Sequence, residues 1–313
     1  MRRVDFSGRS RRTPARSVTV RAPGKVNLSL RSGPRGQDGF HPLTTTFQAL
    51  SLFEEVSAVE GQGLVIEVTG AQADLVPTDV DNIAARAALL LAERAGVDPD
   101  VHLRIHKEVP VAGGMAGGSA DGAAALVACN ELWDTGIARD ELFELAGELG
   151  SDVPFALLGH TAVGTGRGHL LSPVMTRGTF HWVLALRHEG MSTPQVYARF
   201  DEIVGDSARL EAGADIDLLL ALRQADPEAL GEALHNDLQP AAIDLRPELG
   251  DTIDVALEAG ALGAVVSGSG PTVAVLARSA QHALALSATL MAQGGADDVR
   301  TATSPVPGAV VLG

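Results

Sequence analysis

The chain has 313 residues, of which 45% are hydrophobic, and its formal net charge at neutral pH is −15. That length allows two domains with substantial cores. The negative charge argues against nucleic acid as a partner, so an anionic ligand must be held by local cations and backbone amides. The single cysteine, Cys129, excludes an internal disulfide and indicates a reducing compartment, the cytoplasm. No apolar run is long enough to span a membrane, so we expect no membrane partner.

Residues 1–16 differ from the rest of the chain, because they are rich in arginine and poor in apolar side chains. No hydrophobic segment follows them, which argues against a secretory signal. We interpret residues 1–16 as a disordered basic leader. Nucleic-acid contact and an over-long start site are the lesser alternatives.

Alternating apolar residues over 18–30 predict the first strand, and Ala22-Pro23-Gly24 predicts a bend or bulge within it. Lys25 and Asn27 fall on the face opposite Val26. Such polar residues usually form a solvated face, although two of them side by side could also meet a polar ligand.

Further strands and one helix are predicted before the middle of the chain. The patterns indicate strands over 47–56, 64–68 and 101–105. Between the last two, Asp81-Asn82 caps a helix whose apolar stripe runs over 83–91.

A glycine-rich loop follows the strand over 101–105 and opens an alanine-rich helix. The loop and the start of its helix comprise Pro110, Val111, Ala112, Gly113, Gly114, Met115, Ala116, Gly117, Gly118, Ser119, Ala120 and Asp121. Free N–H groups and the positive dipole end at a helix start favour an anion, so the order of strand, glycine loop and helix predicts phosphate binding. The pattern is neither a P-loop nor a dinucleotide-binding G-x-G-x-x-G motif. A glycine-rich turn followed by an N-capped helix is the plainer alternative.

The second half repeats the mixture of helices and strands without a regular order. Helices are predicted over 140–149, 215–224, 227–234, 247–260 and 280–293, and strands over 180–186, 264–276 and 308–312, the strand pair at 264–276 enclosing a second glycine-rich turn. This order predicts an α+β fold with two domains that meet near residue 170.

Three widely separated segments together resemble the GHMP family of small-molecule kinases. They are Pro23-Gly24-Lys25-Val26-Asn27-Leu28, the 110–121 loop and Ser267-Gly268-Ser269-Gly270-Pro271-Thr272. The resemblance implies a two-domain GHMP-kinase-like fold with the active site in the cleft between the domains. It implies a nucleotide-binding domain over 17–170 and a substrate domain over 171–313. It also implies ATP with Mg²⁺, with ATP held by Pro110 to Ala120.

Four further features resemble the branch of this family that phosphorylates a cytidylyl-linked alcohol on the non-mevalonate route to isoprenoid precursors. They are residues 38–48, the Gly-Gly-Ser end of the loop, Gly150-Ser151-Asp152-Val153-Pro154-Phe155 and Ser192-Thr193-Pro194-Gln195-Val196-Tyr197. The resemblance implies a small-molecule cytidylyl substrate and a monomer or weak homodimer. A homoserine or mevalonate type of GHMP kinase is one alternative, and a non-catalytic nucleotide-binding protein on the same scaffold is the other.

The resemblance assigns the catalytic roles to Asp152 and Lys25. Asp152 would take the proton of the substrate hydroxyl, and Lys25 would keep Asp152 ionised and offset charge on the γ-phosphate. Without the resemblance, Asp152 would be interpreted as a helix N-cap and Lys25 as part of a solvated face.

The resemblance also implies a set of substrate-binding residues. They are Asn27, Phe40, His41, Thr193, Pro194, Tyr197, Gly268, Ser269 and Gly270. The rings of Phe40 and Tyr197 would sandwich the cytosine, since stacking binds a flat base at low entropic cost, with core packing as the alternative for each ring. No carboxylate cluster dedicated to a metal can be identified. Ser119 is the candidate for contacting phosphate or its metal, with helix N-capping as its competing role.

Some residues depart from the pattern of that branch. Phe40 replaces a tyrosine, Met115-Ala116 replaces Leu-Gly and Ala120 replaces a second serine, while Arg167 and His169 stand where other residues are usual. None of these changes removes a residue to which the resemblance assigns chemistry.

Overall fold

Residues 15–205 and 215–313 are described in a computed structural model. Residues 1–14 of the predicted basic leader lie outside the described residues. Arg16, at the end of that leader, donates hydrogen bonds to the Asp134 carboxylate and the Glu131 carbonyl, each 2.9 Å long. Within the described ranges, no helix is both long enough and apolar enough to cross a membrane.

The strands form two sheets. In chain order they are β1 (Ser17–Ser32), β2 (Leu43–Glu60), β3 (Leu64–Gly70), β4 (Val101–Lys107), β5 (Thr161–Gly166), β6 (Leu170–Pro173), β7 (Phe180–Leu186), β8 (His235–Asn236), β9 (Gly263–Val266), β10 (Val273–Ala277), β11 (Asp298–Ser304) and β12 (Val310–Leu312). The first sheet has the order β12-β1-β2-β4-β3, with β5 and β6 extending from β2 and β8 pairing with β1. The second sheet has the antiparallel order β11-β7-β10-β9.

Helices cover both sheets. In chain order they are α1 (Ile83–Ala95), α2 (Gly117–Leu132), α3 (Arg139–Leu149), α4 (Val153–Leu158), α5 (Thr193–Val204), α6 (Ile216–Gln224), α7 (Pro227–Glu232), α8 (Gln239–Leu245), α9 (Glu248–Glu258) and α10 (Ala280–Ala292). The start of α1 is the predicted one, because the Asn82 side chain accepts a hydrogen bond from the Ala84 amide. The prediction of an α+β fold is confirmed. The patterns did not predict α5, α8 or the strands β5, β6, β8 and β11.

An irregularity in β1 reverses the direction of its side chains. Its pairing with β2 shifts register after Pro23, where the sequence predicts a bend or bulge. Before the shift, Val20 and Ala22 pack in the core beneath α1 to α4. After it, Val26 and Leu28 pack in a different core, against the second sheet. These four residues would share one face of a regular strand, so the bulge reverses the alternation.

This reversal brings Lys25 and Asn27 to the side of β1 where α2 lies. Their predicted position opposite Val26 is confirmed, but the interpretation as a solvated face is wrong. Lys25 is 5% exposed and Asn27 is 2% exposed. The physical reason is that β1 is a central strand, paired on both sides and covered on both faces.

The two sheets share a core, and the chain passes between them more than once. Trp182, Leu184 and Leu276 of the second sheet pack with Val26 and Leu28 of the first. The first sheet extends through β6 beyond residue 170, and it recovers β12 from the end of the chain. The division at residue 170 therefore stays a prediction, since the sheets are interleaved along the sequence.

Candidate active site

A cavity of about 1080 Å³ lies between the first sheet with its helices and the elements of the second half. Its walls include most of the predicted site residues, namely Lys25, Asn27, Phe40, His41, Pro110, Val111, Ala112, Gly113, Gly114, Ala116, Gly117, Gly118, Ser119, Asp152, Thr193, Pro194, Tyr197, Gly268 and Ser269. Met115, Ala120 and Gly270 do not line it. Met115 and Ala120 lie in the hydrophobic cores, where they support the loop from beneath.

The glycine loop leaves the start of α2 open. The helix begins at Gly117, and Ala116 before it has a left-handed backbone with φ of 59° and no side-chain capping bond. The first amides of a helix have no partner within it, so those of Gly117 to Ser119 are available to an anion. The alternative of Ser119 as N-cap is wrong, because Ser119 lies within the first turn and lines the cavity.

The second glycine turn, residues 267–270, packs directly against the loop. Gly114 has φ of 74°, and a Cβ on it would lie 2.1 Å from the carbonyl oxygen of Ser267. The Ser267 hydroxyl donates to the Gly114 carbonyl over 3.1 Å. The Asn236 amide fixes the same turn, since it donates to the Val266 and Gly268 carbonyls, each over 2.7 Å. The two halves of the chain therefore meet at the glycine-loop end of the cavity, with no side chain on Gly114 between them.

Lys25 reaches this junction from β1. Its ammonium group donates to the Gly114 carbonyl over 2.7 Å and to the side-chain oxygen of Asn27. Asn27 in turn donates to the Thr45 hydroxyl over 2.8 Å, which fixes the direction of its oxygen. Burial lowers the pKa of Lys25, and the negative charge of Asp152 acts in the opposite direction. Lys25 is thus a desolvated cation held by neutral oxygens beside the loop.

Asp152 stands between α3 and α4 with its carboxylate free of a capping role. It occupies the position before α4, but its side chain makes no capping hydrogen bond. Within residues 15–205 and 215–313, no ion pair joins Asp152 to Lys25, although the charge of Asp152 acts on the pKa of both Lys25 and Tyr197. The interpretation of Asp152 as an N-cap is therefore wrong with respect to its side chain, and the residue lines the cavity.

The opposite end of the cavity contains the predicted base-binding residues. The His41 Nδ1 donates to the Gly33 carbonyl over 2.9 Å, and its Nε2 lies 3.4 Å from an Asp201 carboxylate oxygen. The His41 ring stacks on Tyr197 with centroids 4.8 Å apart. Thr193, at the start of α5, bonds the Ser269 hydroxyl at 2.8 Å and links this end to the second glycine turn.

Phe40 is placed differently from Tyr197. Its side chain is 52% exposed, so the alternative of core packing is wrong for this ring. The Arg167 guanidinium lies 4.4 Å from the centre of the Phe40 ring. Tyr197 packs on His41 instead, so the sandwich of a base between Phe40 and Tyr197 stays a prediction.

A buried charge cluster beneath the loop was not predicted. Lys107 contacts Glu54 and lies 2.6 Å from Asp121, and all three side chains are almost completely buried. Burial, together with the charge of Asp121, raises the pKa of Glu54 to about 8. The alternation of β2 supplied a signal, because Glu54 shares a face with Val56, which packs in the core.

Comparison with known families matches the model of the GHMP kinases N terminal domain to residues 82–160 and that of the GHMP kinases C terminal domain to residues 218–295. A protein of Thermobifida fusca named 4-diphosphocytidyl-2-C-methyl-D-erythritol kinase is 54% identical over 95% of this chain and 98% of its own length. This chain belongs to the GHMP kinase family. The two-domain fold implied by the sequence motifs is thereby confirmed.

Other relatives of this GHMP kinase carry the same name or share only the fold. A Nocardia farcinica protein, also named 4-diphosphocytidyl-2-C-methyl-D-erythritol kinase, is 54% identical over 94% of this chain and 96% of its own length. A crystal structure of 4-(cytidine 5'-diphospho)-2C-methyl-D-erythritol kinase has a TM-score of 0.77 and 30% identity, covering 92% of this chain and 99% of that one. A homoserine kinase from Cytophaga hutchinsonii, at 20% identity and a TM-score of 0.73, covers 99% of this chain and 100% of its own and shows the fold alone.

Proposed function

We propose that this GHMP kinase transfers the γ-phosphoryl group of ATP to the 2-hydroxyl of 4-diphosphocytidyl-2-C-methyl-D-erythritol, in the synthesis of isoprenoid precursors. The observation that carries the proposal is one cavity that holds the phosphate loop, Lys25 and Asp152 at one end and His41, Phe40 and Tyr197 at the other. The relatives above, which are more than half identical over nearly the whole chain, support the same substrate.

Phosphoryl transfer requires positioning and charge neutralisation more than covalent chemistry. The free amides at the start of α2 would hold the ATP phosphates. Asp152 would take the proton from the attacking hydroxyl, because its carboxylate has no competing capping bond. Lys25 would offset the charge that develops on the transferred group, and its burial makes that interaction stronger than in water.

Mg²⁺ would accompany ATP in this proposal, and few of the described side chains could serve as its ligands. Among the described residues, no group of three or more His, Cys, Asp and Glu side chains could hold a metal ion by itself. This fits Mg²⁺, which usually keeps several waters and is held by one or two protein groups plus the phosphates of its nucleotide. The Ser119 hydroxyl, at the start of α2 and on the cavity wall, would contact it. Bound Mg²⁺ would neutralise phosphate charge.

The cytidylyl end distinguishes the proposal from a homoserine or mevalonate kinase. Those substrates contain no base, so they provide no use for a stacked His41–Tyr197 pair beside an exposed Phe40. A non-catalytic binding protein would need no free carboxylate opposite a buried lysine. We further propose a cytoplasmic monomer or weak homodimer without a nucleic-acid partner.

A coupled assay of ADP release with Mg-ATP tests this proposal. The cytidylyl substrate, homoserine and mevalonate are offered in parallel, and we expect turnover with the cytidylyl substrate alone. Turnover with another alcohol would support the kinase activity but contradict the assignment of a base-binding end to the cavity. Nucleotide binding without turnover on any of them would favour the non-catalytic alternative.

A further inference from the structure

The turn between β5 and β6 holds Arg167 at the rim of the cavity. Gly166 and Gly168 flank it with φ of 70° and 95°, which favours glycine at both positions. A Cβ on Gly168 would lie 3.4 Å from the buried Phe47 ring, so the turn packs closely on the sheet. The geometry therefore presents Arg167 from a firmly supported turn rather than from a long loop.

The Arg167 guanidinium lies over the Phe40 ring at 4.4 Å, and both residues line the cavity. A guanidinium that stacks through its face keeps its N–H donors at its edge. Within residues 15–205 and 215–313, the Arg167 side chain has no hydrogen bond or ion pair, and its guanidinium contacts the Phe40 ring. The stacked group therefore has donors left for a ligand.

Each of the other cations of the cavity wall donates a hydrogen bond to another group of the protein. Lys25 donates to Gly114 and Asn27, and Lys107 lies between two buried carboxylates. Arg35 donates through Nε to the Gly39 carbonyl over 2.9 Å. A diphosphate needs local cations on a chain of net charge −15, and planar guanidinium groups suit phosphate oxygens.

We propose that Arg167 is a specificity-determining residue that binds the diphosphate of the cytidylyl substrate while its face supports the Phe40 ring. The inference rests on the proposed function, since it names the group that recognises the charged link between the base and the alcohol. Phe40 keeps one ring face for Arg167 and offers the other to the base. Arg167 thereby joins recognition of the base to recognition of the diphosphate.

The test compares Arg167→Gln with Arg177→Gln as a matched control. Arg177 is exposed and lies outside the cavity, so its substitution removes the same charge from a surface away from the site. Cytidine and CDP are measured as competitive inhibitors against the cytidylyl substrate at saturating Mg-ATP. In Arg167→Gln we expect the inhibition constant of CDP to rise by about tenfold, the scale of a lost charge-assisted hydrogen bond. The inhibition constant of cytidine should rise by less than about twofold.

The control and a conservative variant sharpen the outcome. Arg177→Gln should leave both inhibition constants unchanged, and Arg167→Lys should recover part of the CDP affinity because it keeps the charge without the planar fork. Equal weakening of cytidine and CDP in Arg167→Gln would overturn the inference, since Arg167 would then act through Phe40 alone. Unchanged inhibition by CDP would also overturn it. Failure of the wild type to use the cytidylyl substrate would overturn the proposed function together with this inference.

Discussion

Lys25 is a strand lysine that the fold has removed from water, and its neighbours rather than its own chemistry determine what it can do. Burial lowers its pKa, while the neutral oxygens of Asn27 and Gly114 accept hydrogen bonds from its ammonium group. Asp152 raises that pKa from a distance and forms no ion pair with it within the described residues. Because this ammonium group has no ion-pair partner in Asp152, it can interact with a negatively charged ligand that binds between Lys25 and Asp152.

The Asp152→Asn variant tests the role of the carboxylate at the residue scale. We expect the fold to be retained and kcat to fall by at least about 100-fold, because an amide cannot accept the hydroxyl proton. Single-turnover rates with Mg-ATP and the cytidylyl substrate measure the effect, and thermal unfolding checks the fold. Asp140→Asn, on the exposed side of α3, is the control for loss of one carboxylate. Near-normal turnover by a folded Asp152→Asn protein would refute the assignment.

At the scale of elements, α2 starts from a strained residue. Ala116 has φ of 59°, which costs an L-residue about 1–2 kcal/mol. The first amides of α2 stay free because Ala116 has no side chain that could cap the helix. An alanine at this position therefore has a physical cost at the glycine loop itself.

Replacement of Ala116 by glycine should relieve this strain. We expect the free energy of unfolding of Ala116→Gly to rise by roughly 0.5–1 kcal/mol, after subtracting the entropy that glycine adds to the unfolded chain. Ala120→Gly removes the same methyl group from a buried position within α2 and should lower stability by about 1 kcal/mol. Urea unfolding measures both variants. An equal loss of stability in Ala116→Gly and Ala120→Gly would show that the backbone of Ala116 is not strained.

The charge cluster of Glu54, Lys107 and Asp121 joins β2, β4 and α2, and it predicts a pH-dependent stability. The native pKa of Glu54 is raised to about 8 by burial and by Asp121. At a pH between 4.5, the ordinary pKa of a glutamate, and about 8, the native state binds more protons than the unfolded state. Stability therefore decreases as the pH rises through this interval, by up to about 1.4 kcal/mol per pH unit for one group.

Glu54→Gln should flatten this dependence, because an amide keeps the shape and does not titrate. Urea unfolding midpoints between pH 5 and pH 8, a range that lies within the interval from 4.5 to about 8, measure how steeply stability depends on pH. Glu55→Gln, at the exposed neighbouring position, is the control. A slope that Glu54→Gln leaves as steep as in the wild type would contradict the prediction.

At the scale of the whole molecule, the position of the glycine loop depends on contact between the two halves of the chain. Gly114 lies directly against the Ser267 carbonyl, and the Asn236 amide holds the turn that contains it. Because the approach of Gly114 to the Ser267 carbonyl is between backbone atoms, no side-chain rotation can relieve a clash there. The loop and the second glycine turn are thus fixed against each other.

Gly114→Ala should separate the two turns. Its Cβ would lie 2.1 Å from the Ser267 oxygen, so we expect kcat/KM for ATP to fall by at least about tenfold as the loop shifts, the scale of misplacing a catalytic group. Gly136→Ala is the matched control, since its φ is 69° but nothing lies within 4 Å of its Cβ. It should lose about 1–2 kcal/mol of stability and keep its activity. Comparable losses of activity in both variants would attribute the effect to backbone strain alone.

The sequence alone determined the α+β class, most element positions, the glycine loop and the motifs of the family. These follow from local rules, since side-chain periodicity, caps and glycine positions act within a few residues. It predicted the bulge of β1 from Ala22-Pro23-Gly24, and the structure confirms it. Short strands such as β5 and β6 were missed because they flank a glycine-rich turn and carry little alternation.

Tertiary structure decided the environments of the site residues. The bulge selects the face of Lys25, but only the neighbouring strands and α2 bury it. Glu54, Lys107 and Asp121 are far apart in sequence, so their charge cluster depends on packing between β2, β4 and α2. The pairings of Tyr197 with His41 and of Phe40 with Arg167 likewise join separate segments. The physical reason is that burial and charge depend on which distant segments meet, and periodicity along one segment does not specify that.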